Sequence, residues 1–380
     1  MAILKNFGTI AISDIASAAI SSVFWLYLAS LLTVSNFGEI QFLISITGFA
    51  VGVSLLANVN TVIVYEIKQR GLRKILFLLT LVIGVIVSVA LFILYSRLDI
   101  IFLTFGMIFA EMISGYLLGK KLFVRYSIIF ISQKLLMVTL TIGLYFFMGF
   151  EGIIYGIAIS YIPICVIILR SFKDTSLNFS LLKENFSLLK ENFEFVINNY
   201  GNRLISQSRK DLDKIIIMPI LGFETLGEFA LSVQVYMLMI LFASFSFKFL
   251  LLSDASGKNA IKFKVGILSV SIIISILGII IGPEIITTFF PKFVNSVEII
   301  PILSLAVIPN TIAIIFSSKF LGDEKSKFPL IGTILYAVSY LSMVVFLGSA
   351  YGLYGLGVSF LISSIIYSSY LVITYQIQKK

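Results

Sequence analysis

The chain contains no histidine, and Cys165 is its only cysteine among 380 residues. That excludes an intramolecular disulfide, a thiolate zinc cluster, a histidine-ligated metal and a Ser–His triad. Charge is scarce as well. Asp, Glu, Lys and Arg make up 12% of the chain, about half the ~25% of a soluble domain. Hydrophobic residues reach 59% and mean hydropathy is +1.07, which excludes a water-soluble enzyme and a disordered chain. The nearest approach to a phosphate loop is Gly115-Tyr-Leu-Leu-Gly119-Lys120. It is one residue short of G-x-x-x-x-G-K and lies in an apolar run, so neither a nucleotide site nor a cofactor is expected.

What is present is a series of long apolar runs. Only helices and closed barrels satisfy their backbone in lipid. Runs such as Ile75–Tyr95 and Phe263–Ile281 are unbroken and of the length that a crossing helix needs, not the short alternating segments of a barrel. Twelve spans are expected, at 10–33, 40–64, 75–95, 99–119, 127–149, 151–171, 195–218, 226–250, 263–281, 297–318, 329–348 and 353–375. The loops on one side hold 21 Lys and Arg, and those on the other hold only Arg97 and Lys292. This bias places both termini in the cytoplasm, and the expected location is the cytoplasmic (inner) membrane. The formal charge of +9 is mostly this signal and does not point to nucleic acid.

A polar interruption at 172–194 carries a tandem heptad, Ser180–Phe186 and Ser187–Phe193. It is expected as an amphipathic surface helix linking an N-terminal six-helix bundle, 1–171, to a C-terminal one, 195–380. The two halves look related. Phe37-Gly-Glu matches Leu226-Gly-Glu at an offset of 189, and Gly149-x-x-Gly152 matches Gly352-x-x-Gly355 at an offset of 203. Six spans per half is even, so the expected symmetry is a pseudo-twofold axis along the membrane normal. The pairs Gly115/Gly119, Gly152/Gly156, Gly278/Gly282 and Gly348/Gly352 are expected as close helix contacts. Pro163, Pro301 and Pro309 are expected as bends, either mobile or static.

The same corners carry a family resemblance. Thr33–Ala50, Asp211–Tyr236 and Pro283–Asn310 resemble, in order, the span 1–2, span 7–8 and span 9–10 segments of Wzx-type O-antigen and polysaccharide flippases. These belong to the multidrug/oligosaccharidyl-lipid/polysaccharide exporter superfamily. The resemblance implies an all-α polytopic membrane protein, with its two bundles forming a V around a central cavity. It also implies a lipid-linked oligosaccharide of the polyprenyl pyrophosphate type as cargo, and lipids as surroundings. Contacts with a glycan polymerase or glycosyltransferases would follow.

Span 7 is too polar for lipid contact. Arg203, Lys210 and Lys214 fall on one face, flanked by Asn199, Ser206 and Gln207. Lys210 and Lys214 repel each other at i,i+4, and an anion would relieve them. The functional reading is a cationic cavity wall that binds a pyrophosphate or an acidic sugar. The plain reading is cations facing water or headgroups. Arg209 and Asp213 are expected to pair along the helix. Glu111 in span 4 and Lys134 in span 5 are expected at similar depth, as a buried ion pair. The functional alternative adds Lys134 to the cationic lining and gives Glu111 a gating role. Asp14 in span 1, with Ser13, Ser17 and Ser21, is a candidate proton or sodium coupling site. By the offset of 189 it also corresponds to Arg203, which suggests an Asp14–Arg203 charge-pair latch. The rival functions are an ion-coupled multidrug or metabolite antiporter and, further off, a membrane glycan polymerase or ligase.

Overall fold

The computed structural model describes residues 2–68, 72–173, 186–256 and 261–379, and among these the secondary structure is helical with no strand. The helices are α1 (Ala2–Leu31), α2 (Val34–Ser54), α3 (Val59–Ile67), α4 (Arg73–Tyr95), α5 (Leu98–Gly119), α6 (Phe123–Met148), α7 (Glu151–Ile159) and α8 (Ile162–Lys173). They continue as α9 (Phe193–Ala255), α10 (Ile261–Phe289), a 3-10 helix (Pro291–Glu298), α11 (Ile300–Gly322) and α12 (Lys327–Lys379).

Ten stretches are long and apolar enough to cross a membrane. Two of them are double. The α9 backbone breaks at Gly222 (φ 79°) and that of α12 at Gly352 (φ 57°). Each supplies two legs, so ten stretches make the twelve expected spans. Both φ values are open to glycine and costly for other residues. The outward apolar surface is large, with Phe147 89% and Phe346 75% exposed, as a lipid-facing surface requires. The protein is a multi-pass membrane protein.

Span 2 departs from expectation. It is two helices, α2 and α3, interrupted at 55–58. The break is buried, with Leu55 and Ala57 fully covered, and buried polar backbone must be satisfied. The Ala57 amide donates to Thr80 Oγ1 of α4 at 2.8 Å, and Asn58 Oδ1 accepts from the Thr61 amide at 3.0 Å. Span 6 is likewise split, where α7 ends before Tyr161 and α8 carries Pro163 in its first turn. Pro309 sits inside α11 without ending it.

The repeat is visible in the turns. After α5, the amides of Lys120, Lys121 and Leu122 donate to the carbonyls of Tyr116, Leu118 and Leu117. After α11, those of Asp323, Glu324 and Lys325 donate to Lys319, Leu321 and Phe320, each 203 residues on. Lys121 and Glu324 adopt matching left-handed φ values of 59° and 60°, a conformation uncommon without glycine. Gly149 and Gly352 turn the next corners with positive φ. Gly115, Gly119, Gly152, Gly156, Gly278 and Gly282 lie in close contact with neighbouring residues, as expected. Gly348 packs on Leu356, whereas Gly352 meets nothing and serves the turn.

The chain forms two compact units. The first holds the residues up to Phe24 and Leu43–Asp211, and the second holds Trp25–Phe42 and Leu212 onward. Grouping by contact therefore cuts across the halves 1–171 and 195–380. The corner Trp25–Phe42 joins the second unit, and the start of α9 joins the first. Most of the first heptad lies outside the described residues. From the second, Leu188 and Leu189 pack against the first unit's core of Val51, Tyr65, Ile75 and Val196.

Candidate functional site

The polar face of α9 is built into the first unit. Tyr200, Arg203, Gln207 and Asp211 follow at helical spacing and point one side of the helix toward α2 and α5. The Tyr200 hydroxyl donates to the Val53 carbonyl at 2.7 Å, next to the break in span 2. Gln207 Nε2 donates to Asp211 Oδ2 at 2.6 Å. Gln207 can come this close because α2 offers Gly48 and Gly52. A Cβ on Gly52 would lie 2.9 Å from Gln207 Cγ, and one on Gly48 would lie 3.2 Å from its Nε2.

Arg203 carries the central ion pair. Its Nη2 donates to Glu111 Oε1 of α5 at 2.6 Å, and each side chain is 28% exposed. Among the described residues the guanidinium is bound at one nitrogen only. Its Nε is buried and has no acceptor among the described residues. Asp14 Oδ1 of α1 accepts from the Tyr126 hydroxyl of α6 at 3.2 Å. On the same helix the hydroxyls of Ser13 and Ser17 are buried with no partner among the described residues. Tyr126 also feels the charge of Glu111.

Two pairings read from the sequence are corrected. Glu111 pairs with Arg203 and not with its hairpin neighbour Lys134. Among the described residues Lys134 has no ion pair or hydrogen bond, although it is crowded on all sides and only partly exposed. The Asp14–Arg203 latch is replaced in the same way: the carboxylate bonded to Arg203 is Glu111, and Asp14 is held by Tyr126. The rotation of each helix about its axis selects these partners, and equal depth alone does not.

Arg203, Lys210 and Lys214 lie on one stretch of α9, whose backbone breaks only later, at Gly222. Lys210 is exposed. Lys214 Nζ lies 3.7 Å from Asp213 Oδ1, and Asp213 also accepts from the Tyr340 hydroxyl at 3.1 Å. Asn199 Nδ2 turns back to the Phe195 carbonyl at 2.9 Å. The side chains of Ser206 and Arg209 lie outside the described residues. Sequence reading missed Tyr126, Tyr200 and the Gly48/Gly52 cradle. The G-x-x-x-G spacing of that cradle was available as a signal.

No family model and no curated protein matches the chain. Solved structures do. A structure titled "Lipid II flippase MurJ, inward closed conformation" aligns with a TM-score of 0.75 at 13% identity, over 97% of this chain and 87% of that one. An inward-facing multidrug resistance MATE family transporter of the MOP superfamily aligns at 0.66 and 13% identity, over 97% and 94%. The MATE transporter VcmN of Vibrio cholerae aligns at 0.57 and 13% identity, over 97% and 94%. At such identities the shared property is the fold.

Proposed function

We propose that the chain is a flippase for a saccharide carried on a polyprenyl (pyro)phosphate, moved from the cytoplasmic to the outer leaflet by alternating access. The proposed home is the cytoplasmic membrane, with both termini in the cytoplasm, as the Lys and Arg bias favours. The observation that carries the reading is the pair of incompletely matched cations in the first unit. The buried Nε of Arg203 has no acceptor among the described residues. Lys134 sits within a membrane span with no counter-charge among the described residues.

A cation at mid-membrane depth costs about 2.5–3.5 kcal/mol on insertion scales, and a structural helix gains nothing from it. A phosphate group would neutralise Lys134 and occupy the open edge of Arg203. Glu111 would then have to share or surrender its hold on Arg203. The fold shared with a lipid II flippase agrees with a lipid-linked cargo. Purified protein in vesicles containing a fluorescent polyprenyl diphosphate saccharide tests the reading. Transfer between leaflets is expected, with loss in Arg203→Gln and Lys134→Met. Equal transfer by wild type and both variants would reject the site.

A second reading has its own support. Asp14 on the first helix, held by Tyr126 and beside two serine hydroxyls with no partner among the described residues, could bind a proton or sodium ion in an antiporter that expels organic cations. Extrusion of a lipophilic cation against an imposed proton or sodium gradient, lost in Asp14→Asn, would favour it over the flippase.

A further inference from the structure

The corner Trp25–Phe42 belongs to the second unit by contact, yet continues at both ends, through Phe24 and Leu43, into the first. Its repeat counterpart, 214–231, has no such divided membership, because from Leu212 onward the chain lies in the second unit. Three sets of contacts hold the corner there. The first is a reciprocal backbone approach. A Cβ on Gly38 would strike the Phe223 carbonyl oxygen and lie 2.8 Å from the Gly227 amide, and a Cβ on Gly227 would strike the Val34 carbonyl oxygen. Each glycine meets the residue four before the other, so the two copies of the repeat face each other about a local twofold.

The second set is aromatic. Phe37 packs edge-on against Phe293 at 5.7 Å, and Phe42 against Phe223 at 5.7 Å. The third is polar. Lys292 Nζ lies 3.2–3.4 Å from the carbonyls of Ser30, Leu31 and Leu32, at the C-terminal end of α1. Those carbonyls have no helical donor, and a cation there also meets the negative end of the helix dipole. Beside Lys292, Ser296 of the same 3-10 helix binds the buried carboxylate of Glu228, the residue after Gly227.

We infer that this crossing is a closed gate and that Lys292 is its latch. Bare backbone contact lets the two helices seal without interlocking side chains. The polar fastening is an exposed lysine on a helix end, whose strength is small and adjustable. Opening releases the corner to follow the half to which it is covalently joined. The inference rests on the chain being a transporter and not on the identity of its cargo.

Thiol accessibility tests it without any cargo. In a Cys165→Ala background, Ala29→Cys places a probe at a fully buried position three residues before Leu32, and Ile154→Cys places a control at a fully buried position in the first unit. Aqueous maleimide should label the Ala29 probe about threefold faster when Lys292→Gln is added. Lys292→Arg should keep the original rate. Gly227→Val, which cannot close, should raise the rate about tenfold or more. The Ile154 control should not change in any variant. If Lys292→Gln and Gly227→Val leave the Ala29 rate unchanged, the crossing is a permanent brace and the proposal is wrong. If both probes quicken together, the variants loosen the whole fold and the gate is equally rejected.

Discussion

Two acidic side chains, one in each unit, are held differently. In the second, Asp254 is only 4% exposed as a side chain and is fully engaged. Lys264 Nζ reaches it at 2.6 Å and the Ser318 hydroxyl at 2.7 Å, with Gly322 close enough that a Cβ would lie 2.7 Å from Asp254 Cβ. In the first, the Glu111–Arg203 pair is a single contact between partly exposed groups, with the Arg203 Nε left open among the described residues. Ser13, Ser17, Asn58, Thr61 and the Nε of Arg203 all carry buried polar atoms without a partner among the described residues. Of the buried side-chain atoms left open among the described residues, only the Ser363 hydroxyl falls in the second unit. Buried polar groups left open are costly and persist where something else fills them. A saturated cluster braces a helix bundle, whereas an unsaturated one is prepared for a ligand or for water.

The comparison breaks most sharply if stability and transport can be lost separately. Asp254→Ala leaves Lys264 and Ser318 facing an apolar methyl and should cost about 3 kcal/mol of stability. Among molecules that still fold, transfer should survive. Arg203→Gln should cost less, about 1–2 kcal/mol, because its pair is partly hydrated, yet abolish transfer. Thermal unfolding in detergent read beside vesicle transfer separates the two. If Arg203→Gln is the more destabilising and transfer falls only in proportion to folded protein, then the first unit's pair is also a brace.

Lys134→Met sharpens the same point from the other side. It removes an uncompensated cation from a membrane helix and should stabilise the protein by about 1 kcal/mol or more while stopping transfer. A destabilised Lys134→Met protein would mean that the lysine has a structural partner after all. The next effect concerns the cradle. Gly52→Leu should drive Gln207 off α2 and cost about 1–3 kcal/mol. Gly143→Ala, at a glycine with nothing within 4 Å, should be neutral or slightly stabilising.

The number of spans and their corners were legible because apolar length and turn glycines are local signals. The 203-residue register could be read from Gly149-x-x-Gly152 and Gly352-x-x-Gly355 alone, and the matching hydrogen bonds after α5 and α11 follow it. The break in span 2 was hidden because Leu55–Ala57 is as apolar as the helices beside it. Its cause is the capping of α3 by Asn58 and an acceptor on another helix, Thr80. The carboxylate that Arg203 selects was not legible either. Asp14 and Glu111 both lay within reach of a repeat or hairpin argument. The choice between them depends on how α1, α5 and α9 are rotated against one another, and no spacing within one helix encodes that.

The smallest expected effect is the most specific to the choice between readings. Tyr126→Phe removes the hydroxyl that donates to Asp14 at 3.2 Å and leaves the ring, which stacks on Phe130 at 4.6 Å between centroids. The packing is preserved, so the loss should be about 1 kcal/mol or less. In the flippase reading Asp14 is linked to the cation site only through Tyr126, which also feels Glu111, and freeing its carboxylate should weaken anion binding only slightly. In the antiporter reading the same hydroxyl holds the Asp14 carboxylate in the position where a coupling cation would meet it. Without that donor the carboxylate is free to turn, and gradient-driven extrusion of a lipophilic cation should fall severalfold, while Asp14→Asn should abolish it. Equal extrusion and equal leaflet transfer in wild type, Tyr126→Phe and Asp14→Asn would leave this pair with a packing role and assign the chemistry to Arg203 and Lys134.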